Sequence, residues 1–251
     1  MIFLDADDYW NAKNALSVLD GILSRHKGLD VLRSVSWSNA AHDARPTLEN
    51  VYATGVDVAG LTITGVEYLS DGKFFTDVWT SCYRREFLID NGLYFRENVA
   101  YEDGDWNTKL FWKARSVLLV SFPFYIHRLN PESTAMKPRP KAFVDNILGI
   151  LAIDDFVKSV EMPPQCRRAC YAWIKRSIMS YVMISRNFPV GTSLQCLKNL
   201  RRSLLTDTGR YDLTASEQIK MWLFAHCPWL LVGIVRYLTL TKRLVLKCVR
   251  R

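Results

Sequence analysis

The first ten residues, MIFLDADDYW, restrict the fold of this chain more than any other stretch. Residues 2–4 are apolar and predict a short buried strand. Three carboxylates follow directly, at Asp5, Asp7 and Asp8. Because residues two apart on an extended chain project to the same side, we expect Asp5 and Asp7 to face one site. Their oxygens suit Mg²⁺ or Mn²⁺, and the alternative is a solvated acidic turn in which Asp8 caps the following helix.

The residues after this motif continue the pattern of a strand, a helix and a second strand. Apolar residues recur at helical spacing over 11–27, and Gly28 suits the end of that helix. Residues 29–37 predict the next strand, whereas residues 38–72 predict a loop with minor strands. Further along, the sequence predicts a strand or turn at 78–79, helices over 84–90 and after 102–105, and a β-prone run over 116–128.

The character of the sequence changes near residue 141. Long segments with helical period follow, beginning with AFVDNILGILAIDDFVKSV. We therefore predict an α/β region over residues 1–141 and an all-helical region over residues 142–251. The chain is 49% hydrophobic and 23% charged, which is typical of a globular protein and excludes an intrinsically disordered one.

The positive charge of the chain is concentrated toward its C-terminal end. The formal net charge is +8, and no acidic residue follows Glu217. This distribution favours an anionic surface over a groove that reads bases, so we expect no nucleic-acid partner. An apolar stretch with Trp222 and Trp229 precedes the basic end. It predicts either a core helix with a solvated basic end or an interfacial helix on an anionic membrane.

The cysteines indicate the compartment of the protein. They lie at positions 82, 166, 170, 196, 227 and 248, without a CxxC pair. In a chain of 251 residues this pattern is typical of reduced, mostly buried thiols in a cytosolic protein. The first residues are acidic, unlike the basic start of a signal peptide. We therefore expect a cytoplasmic location.

A second acidic group lies about a hundred residues after the first. Glu102, Asp103 and Asp105 stand where a loop is predicted to enter a helix. One of these carboxylates can act as a general base beside a substrate hydroxyl, and the alternative is capping of the helix N-terminus. Further on, His127 can ligate a metal ion and Arg128 can neutralise a phosphate, unless both residues have structural roles.

Three segments in this order resemble the family 2 glycosyltransferases, GT-A-fold enzymes that use nucleotide sugars and are common in bacterial surface-polysaccharide gene clusters. The segments are FLDADDYW, VWTSCYRREFL with NGLYFRENVAYEDGDWNTKLF, and FYIHRLNPEST. The resemblance extends from residue 1 to about residue 140. It implies the C-terminal part of a GT-A, Rossmann-like domain over residues 1–141, followed by a helical extension over residues 142–251.

The resemblance also implies a role for each motif residue. Asp5 contacts the ribose or sugar of the donor, and Asp7 holds Mn²⁺ or Mg²⁺ against the diphosphate, with Asp8 in support. Asp103, in the pair with Glu102, deprotonates the acceptor hydroxyl. The remaining implied contacts are Trp79 and Tyr125 with the sugar and acceptor, His127 and Arg128 with the diphosphate, and Asp5 and His127 with the metal.

The implied reaction is an inverting transfer of a sugar from a nucleotide-sugar donor to a hydroxyl of a glycan or lipid-linked acceptor. Members of this family carry further β–α units before the DxD motif, and those units bind the nucleotide. This sequence begins on the motif itself. We therefore expect an N-terminally truncated transferase with impaired activity alone, located in the cytoplasm and at the inner face of the cytoplasmic membrane.

Two other functions fit parts of the sequence. A haloacid-dehalogenase-like phosphatase also places DxD after an apolar strand, with Asp5 as nucleophile and Asp7 as acid and base. That pattern favours Thr or Val at the position that Tyr9 occupies here. The second alternative is an inactive or accessory membrane-associated protein whose helical half binds a partner or lipid.

Overall fold

The structure, a computed structural model, describes residues 1–10, 13–34, 38–41, 61–72, 77–122, 124–131, 133, 137 and 139–249. The strands of these residues are β1 (Tyr9–Trp10), β2 (Val31–Ser34), β3 (Ser38–Ala41), β4 (Thr62–Ile63), β5 (Ser81–Tyr83), β6 (Val117–Val120) and β7 (Tyr125–Leu129). The helices are α1 (Ala15–Arg25), α2 (Gly65–Ser70), α3 (Arg85–Asp90), α4 (Asp103–Lys113), α5 (Pro140–Ser159), α6 (Pro164–Ile184), α7 (Val190–Leu197), α8 (Arg202–Thr206), α9 (Ala215–His226) and α10 (Pro228–Val249). This content confirms the mixed α/β class, with small sheets and mostly helix.

The described strands form two small sheets. One sheet has the strand order β4-β6-β2-β5, and the other has the order β1-β7-β3. In the first sheet β2 is parallel to β6, with Val31 opposite Val117, and the two edge strands are antiparallel to their neighbours. In the second sheet β7 pairs with β1 in antiparallel fashion and with β3 in parallel fashion. The segment predicted as one β-prone run over 116–128 therefore supplies a central strand to each sheet.

The beginning of the chain makes one isolated bridge and then a turn over residues 5–8, in place of a regular strand. Ile2 makes an isolated antiparallel bridge with Cys82, and the backbone N–H of Asp8 donates to the carbonyl of Asp5 over 3.1 Å. The strand predicted over residues 2–4, and the extended geometry expected for Asp5 and Asp7, are therefore wrong. The turn is favoured because the Tyr125 hydroxyl, on β7, can then form hydrogen bonds with both Asp5 and Asp8.

Helix α1 packs one apolar face into the core of the α/β region. The predicted helix over 11–27 is confirmed with the shorter span Ala15–Arg25, and Gly28 beyond it has the positive φ of 82° that glycine adopts without strain. Its buried side chains recur at helical spacing. The core cluster contains Ala15, Val18, Leu19, Ile22, Leu32, Cys82, Leu118, Val120, Phe122, Phe124 and Tyr125.

Helix α2 lies within the stretch that was predicted as a loop with minor strands, of which residues 42–60 lie outside the described part. A capping box begins the helix: the Thr64 hydroxyl accepts from the Glu67 N–H over 3.2 Å, and the Glu67 carboxylate accepts from the Thr64 N–H over 2.7 Å. Gly65 then lies directly against the backbone of α4, because a Cβ at this position would be 1.8 Å from the Phe111 carbonyl oxygen.

The chain divides into two compact units. Residues 1–97 with 102–137 form the first, and residues 98–101 with 138–251 form the second. The first unit contains both sheets and α1–α4. From residue 140 onward, the regular structure of the described residues is helical. Across the part of the chain that the structure describes, no helix combines the length and apolar character needed to cross a membrane.

Candidate active site

The turn over residues 5–8 is held by hydrogen bonds to strand β7. The Tyr125 hydroxyl accepts from the Asp5 N–H over 3.2 Å and donates to the Asp8 carboxylate over 2.6 Å. The second carboxylate oxygen of Asp8 accepts from the Arg128 N–H over 2.7 Å. Both oxygens of Asp8 are therefore engaged within the fold. The Asp7 carboxylate accepts a long, exposed hydrogen bond, over 3.4 Å, from the Asn130 side-chain amide. Among the described residues, Asp5 and Asp7 are therefore the carboxylates of the turn that a ligand can use.

Arg128 combines a fixed position with an unsatisfied donor. Its guanidinium lies over the Tyr9 ring, 5.3 Å from the centroid. Its Nε is buried and has no hydrogen-bond partner among the described residues. Because a buried N–H without an acceptor is costly, this donor fits an anionic ligand such as a phosphate.

Three aromatic rings stack beside the acidic turn. The Trp79 ring lies 4.4 Å from the Tyr125 ring and 5.7 Å from the His127 ring, nearly parallel to both. Tyr125 is fully buried, whereas Trp79 and His127 are half-buried. Trp79 can therefore present part of its ring to a ligand. A sugar contact by Tyr125, whose hydroxyl is engaged with the turn, stays a prediction.

A buried arginine fixes the loop that carries Trp79. Arg33, on β2, pairs with the Asp77 carboxylate over 3.0 Å and donates to the Asp77 carbonyl over 2.8 Å. It also donates to the Ser81 hydroxyl over 3.1 Å. Sequence reasoning did not find Arg33 or Asp77, because a charged residue inside an apolar strand and an acid at the edge of a loop carry no distinctive spacing.

The fold brings the distant acidic groups of the sequence close to one another. Burial raises the pKa of Asp5, and the charges of Asp8, Asp7 and Glu102 raise it further. The charge of His127 lowers the same pKa. Glu102 and His127, about a hundred and 120 residues away in sequence, therefore lie within electrostatic reach of Asp5.

Asp103 and Asp105 share the first turn of α4 but have different surroundings. Burial is the main reason that the pKa of Asp103 rises to about 7, and the charges of Glu102 and Asp77 add to it. Asp105 is more deeply buried than Asp103, which is half-buried, but it pairs with Arg96 over 2.9 Å and with Lys109 over 3.0 Å. A carboxyl with a pKa near neutrality can accept a proton and release it again, so Asp103 is the better candidate for a general base.

The predicted metal ligands are Asp5, Asp7 and His127. Among the described residues, no three His, Cys, Asp or Glu side chains form a ready-made metal cluster. The chemistry of Asp5, Asp7 and His127 nevertheless suits a divalent cation, because they offer carboxylate oxygens and an imidazole. The carboxylates that raise the pKa of Asp5 also create a site in which a cation would relieve repulsion. These three residues fit the predicted metal in charge and donor type.

Comparisons with known proteins bear on the fold. No protein-family model matches this chain, and no curated protein sequence matches it. The fold is similar to that of the crystal structure of S. aureus TarS 1–349 in complex with UDP-GlcNAc, with 15% identity, a TM-score of 0.57, and coverage of 94% of this chain and 66% of that one. The TarS 1–349 structure in complex with UDP gives 15% identity, a TM-score of 0.50, and coverage of 94% and 65%. This chain thus has the fold of that region, and it spans about two thirds of the length of those TarS chains.

Proposed function

We propose that this protein is a glycosyltransferase of the family 2, GT-A type, which transfers a sugar from a nucleotide-sugar donor with inversion. The observation that carries the proposal is the convergence around Asp5. The acidic turn, the Glu102–Asp103 pair and the His127–Arg128 pair are far apart in sequence, yet all belong to one compact unit. Each group has the chemistry that one part of such a reaction requires.

In this proposal Asp103 takes the proton of the acceptor hydroxyl. The acceptor oxygen forms a bond to the anomeric carbon of the sugar while the bond from that carbon to the diphosphate oxygen breaks. The charge of Glu102 helps to keep the pKa of Asp103 near neutrality. The side chain can therefore receive the proton and later lose it to water.

The leaving diphosphate would lie between the acidic turn and Arg128. The Nε of Arg128, which has no partner among the described residues, would donate to a phosphate oxygen. Asp5, Asp7 and His127 would hold Mn²⁺ or Mg²⁺. When bound, the metal supplies charge neutralisation for the departing nucleoside diphosphate. Asp8 and Tyr125 would keep the turn in position for both ligands.

The partners are proposed from the resemblance and from the structural likeness together. TarS, a glycosyltransferase, is crystallised with UDP-GlcNAc and with UDP, which supports a UDP-sugar as the donor here. We propose a glycan or lipid-linked acceptor used in surface-polysaccharide synthesis, and action in the cytoplasm. Contact with an anionic membrane rests on a separate part of the chain, helix α10.

Nucleoside diphosphate release from a panel of nucleotide sugars, with Mn²⁺ and mixed glycan acceptors, tests the function. The 251-residue chain and a version that includes any upstream in-frame coding sequence are assayed side by side. In whichever version is active, we expect Asp103→Asn to lower turnover at least ~100-fold. Asp90→Asn, which replaces an exposed acid of α3, should leave turnover unchanged. Turnover should rise with pH toward a plateau above about 7, because Asp103 must lose its proton to act.

Two results would reject the proposal. One is the absence of nucleotide-sugar binding and turnover in both versions, measured on folded protein. The other is hydrolysis of p-nitrophenyl phosphate that is lost in Asp5→Asn, since that would indicate a phosphatase with Asp5 as nucleophile.

A further inference from the structure

Helix α10 has one face that is docked onto the helical unit. Leu231 and Val232 are almost fully buried. The guanidinium of Arg236 donates to the carbonyl oxygens of Phe188 and Ser185. These contacts fix the rotation of α10 about its own axis, so the opposite face of the helix is defined by the fold.

That opposite face is apolar and exposed. Leu230, Ile234 and Leu238 recur every fourth residue and lie on one stripe of the helix. Trp229 and Tyr237 lie beside them. The exposed fractions of these five side chains range from 38% to 67%. A helix that packs on a core usually carries charged residues on its solvated face, so five exposed apolar side chains at these positions indicate a surface that a partner covers.

The chemistry of the surrounding sequence indicates what could cover this face. After Glu217 the chain contains no Asp or Glu. It contains Lys220 and Arg236, and then five further basic residues toward its end. Tryptophan and tyrosine at the exposed face are the side chains that prefer the boundary between lipid headgroups and acyl chains. An apolar, aromatic stripe in a segment of one charge sign is complementary to an anionic lipid surface.

We propose that α10 lies in the plane of an anionic membrane surface and inserts the stripe formed by Trp229, Leu230, Ile234, Tyr237 and Leu238 among the lipid headgroups. The proposal deepens the peripheral location given above, but it depends on no residue of the candidate active site. Loss of transferase activity and loss of membrane binding are therefore separate outcomes.

A second copy of the chain is a less suitable occupant. If two copies paired through this stripe, their segments after Glu217 would lie near each other. Each segment carries seven Lys or Arg and no acid, so the pairing would bring like charges together. An anionic lipid surface avoids this repulsion, because its charge is opposite to that of the basic segment.

Co-sedimentation of the full chain with unilamellar vesicles tests the proposal. Vesicles of phosphatidylcholine are compared with vesicles that also contain about 30% phosphatidylglycerol. We expect binding to the anionic vesicles to be at least ~10-fold tighter, and to weaken as salt rises. The triple substitution Ile234→Ser, Tyr237→Ser, Leu238→Ser should weaken binding to anionic vesicles by at least ~10-fold, since it removes most of the inserted apolar area.

A matched variant distinguishes the effect of the stripe from the effect of removing any exposed apolar side chains. Leu148→Ser with Met183→Ser changes two exposed apolar residues of α5 and α6, and it should leave vesicle binding unchanged. Lys242→Gln with Arg243→Gln and Lys247→Gln should lower anionic binding while keeping whatever weak binding phosphatidylcholine supports. Circular dichroism checks that every variant is folded.

Amide hydrogen exchange, measured on the unaltered chain, tests membrane binding without relying on any variant. Anionic vesicles should slow exchange in α10 and leave α5 unchanged. The proposal is overturned by any of three results. These are equal binding to both vesicle types, anionic binding that the stripe variant does not reduce, or a concentration-dependent dimer that the same variant dissociates.

Discussion

Two acids in the first turn of α4 show how much the surroundings of a carboxylate decide its chemistry. Asp105 is neutralised by Arg96 and Lys109, so it serves as a structural anion inside the fold. Asp103 is two residues away and, among the described residues, pairs with no Lys or Arg. Burial and the neighbouring acids raise its pKa to about 7. At neutral pH, a carboxyl with a raised pKa lowers the stability of the folded protein, but it is suited to accept a proton in a reaction.

Asp103→Asn should therefore stabilise the protein above neutral pH. Because folding raises the pKa of Asp103, the carboxyl favours the folded state at low pH and opposes it as pH rises from about 4 to about 7. We expect the free energy of unfolding at pH 8 to increase by about 1–3 kcal/mol in the variant, with no difference at pH 4. Urea unfolding at the two pH values measures this. A variant that is destabilised at pH 8 would contradict the assignment, and Asp90→Asn is the neutral control.

At the scale of elements, close packing of α2 against α4 explains a glycine. Gly65 lies at the first position of α2, where a Cβ would overlap the Phe111 carbonyl of α4. The obstacle is backbone, which cannot rotate away as a flexible side chain can. The capping box from Thr64 to Glu67 then holds the beginning of α2 in this position.

Gly65→Ala should consequently separate the two helices. We expect a loss of about 2–4 kcal/mol in the free energy of unfolding, because the methyl group forces a backbone shift in a packed region. Gly191→Ala, in α7, is the matched control: beyond its own turn of helix, the added Cβ has no described atom within 4 Å. Alanine favours a helix, so that variant should change stability by less than about 1 kcal/mol. Thermal unfolding of the two variants compares their losses of stability. Similar losses in both would show that the backbone relieves the clash at Gly65 without a free-energy cost.

At the scale of the whole molecule, each of the two units has its own core and its own buried ion pairs. The first unit holds Arg33 with Asp77, and the second holds Asp154 with Lys158 and Arg210. Asp154 is fully buried, whereas its neighbour Asp155 pairs with Arg201 at the surface. Buried and exposed ion pairs are expected to respond very differently when one partner is removed.

Asp154→Asn should destabilise the helical unit by about 2–4 kcal/mol, because the variant leaves a buried cation with less compensation. Asp155→Asn should cost no more than about 0.5–1 kcal/mol, since water and salt already screen the exposed pair. Hydrogen exchange of the α5 and α6 amides reports on this unit directly. Equal losses of protection in the two variants would be incompatible with the different burial of the two acids.

The sequence by itself determined the features that depend on local periodicity and composition. Helical spacing predicted α1, because neighbouring residues alone decide which face of a helix is apolar. The ligand site predicted at the acids before α1 stays a prediction. The same local reasoning failed at residues 2–4, where Ile2 makes an isolated bridge and no strand forms. It correctly predicted β structure over 116–128, but it did not show that this run divides between two sheets. It also missed α2, although the Thr64–Glu67 spacing is a usable signal.

Only the tertiary structure decided which of the acids are neutralised by partners and which have a raised pKa. Groups that are distant in sequence decide whether both oxygens of a carboxylate are hydrogen-bonded and whether its pKa is shifted. These groups are Tyr125 and Arg128 for Asp8, and Glu102 and His127 for Asp5. The exposed apolar stripe of α10 is of the same kind, because apolar spacing does not show which face of a helix the rest of the fold covers. Burial and long-range electrostatics are properties of the assembled fold, so no local pattern could supply them.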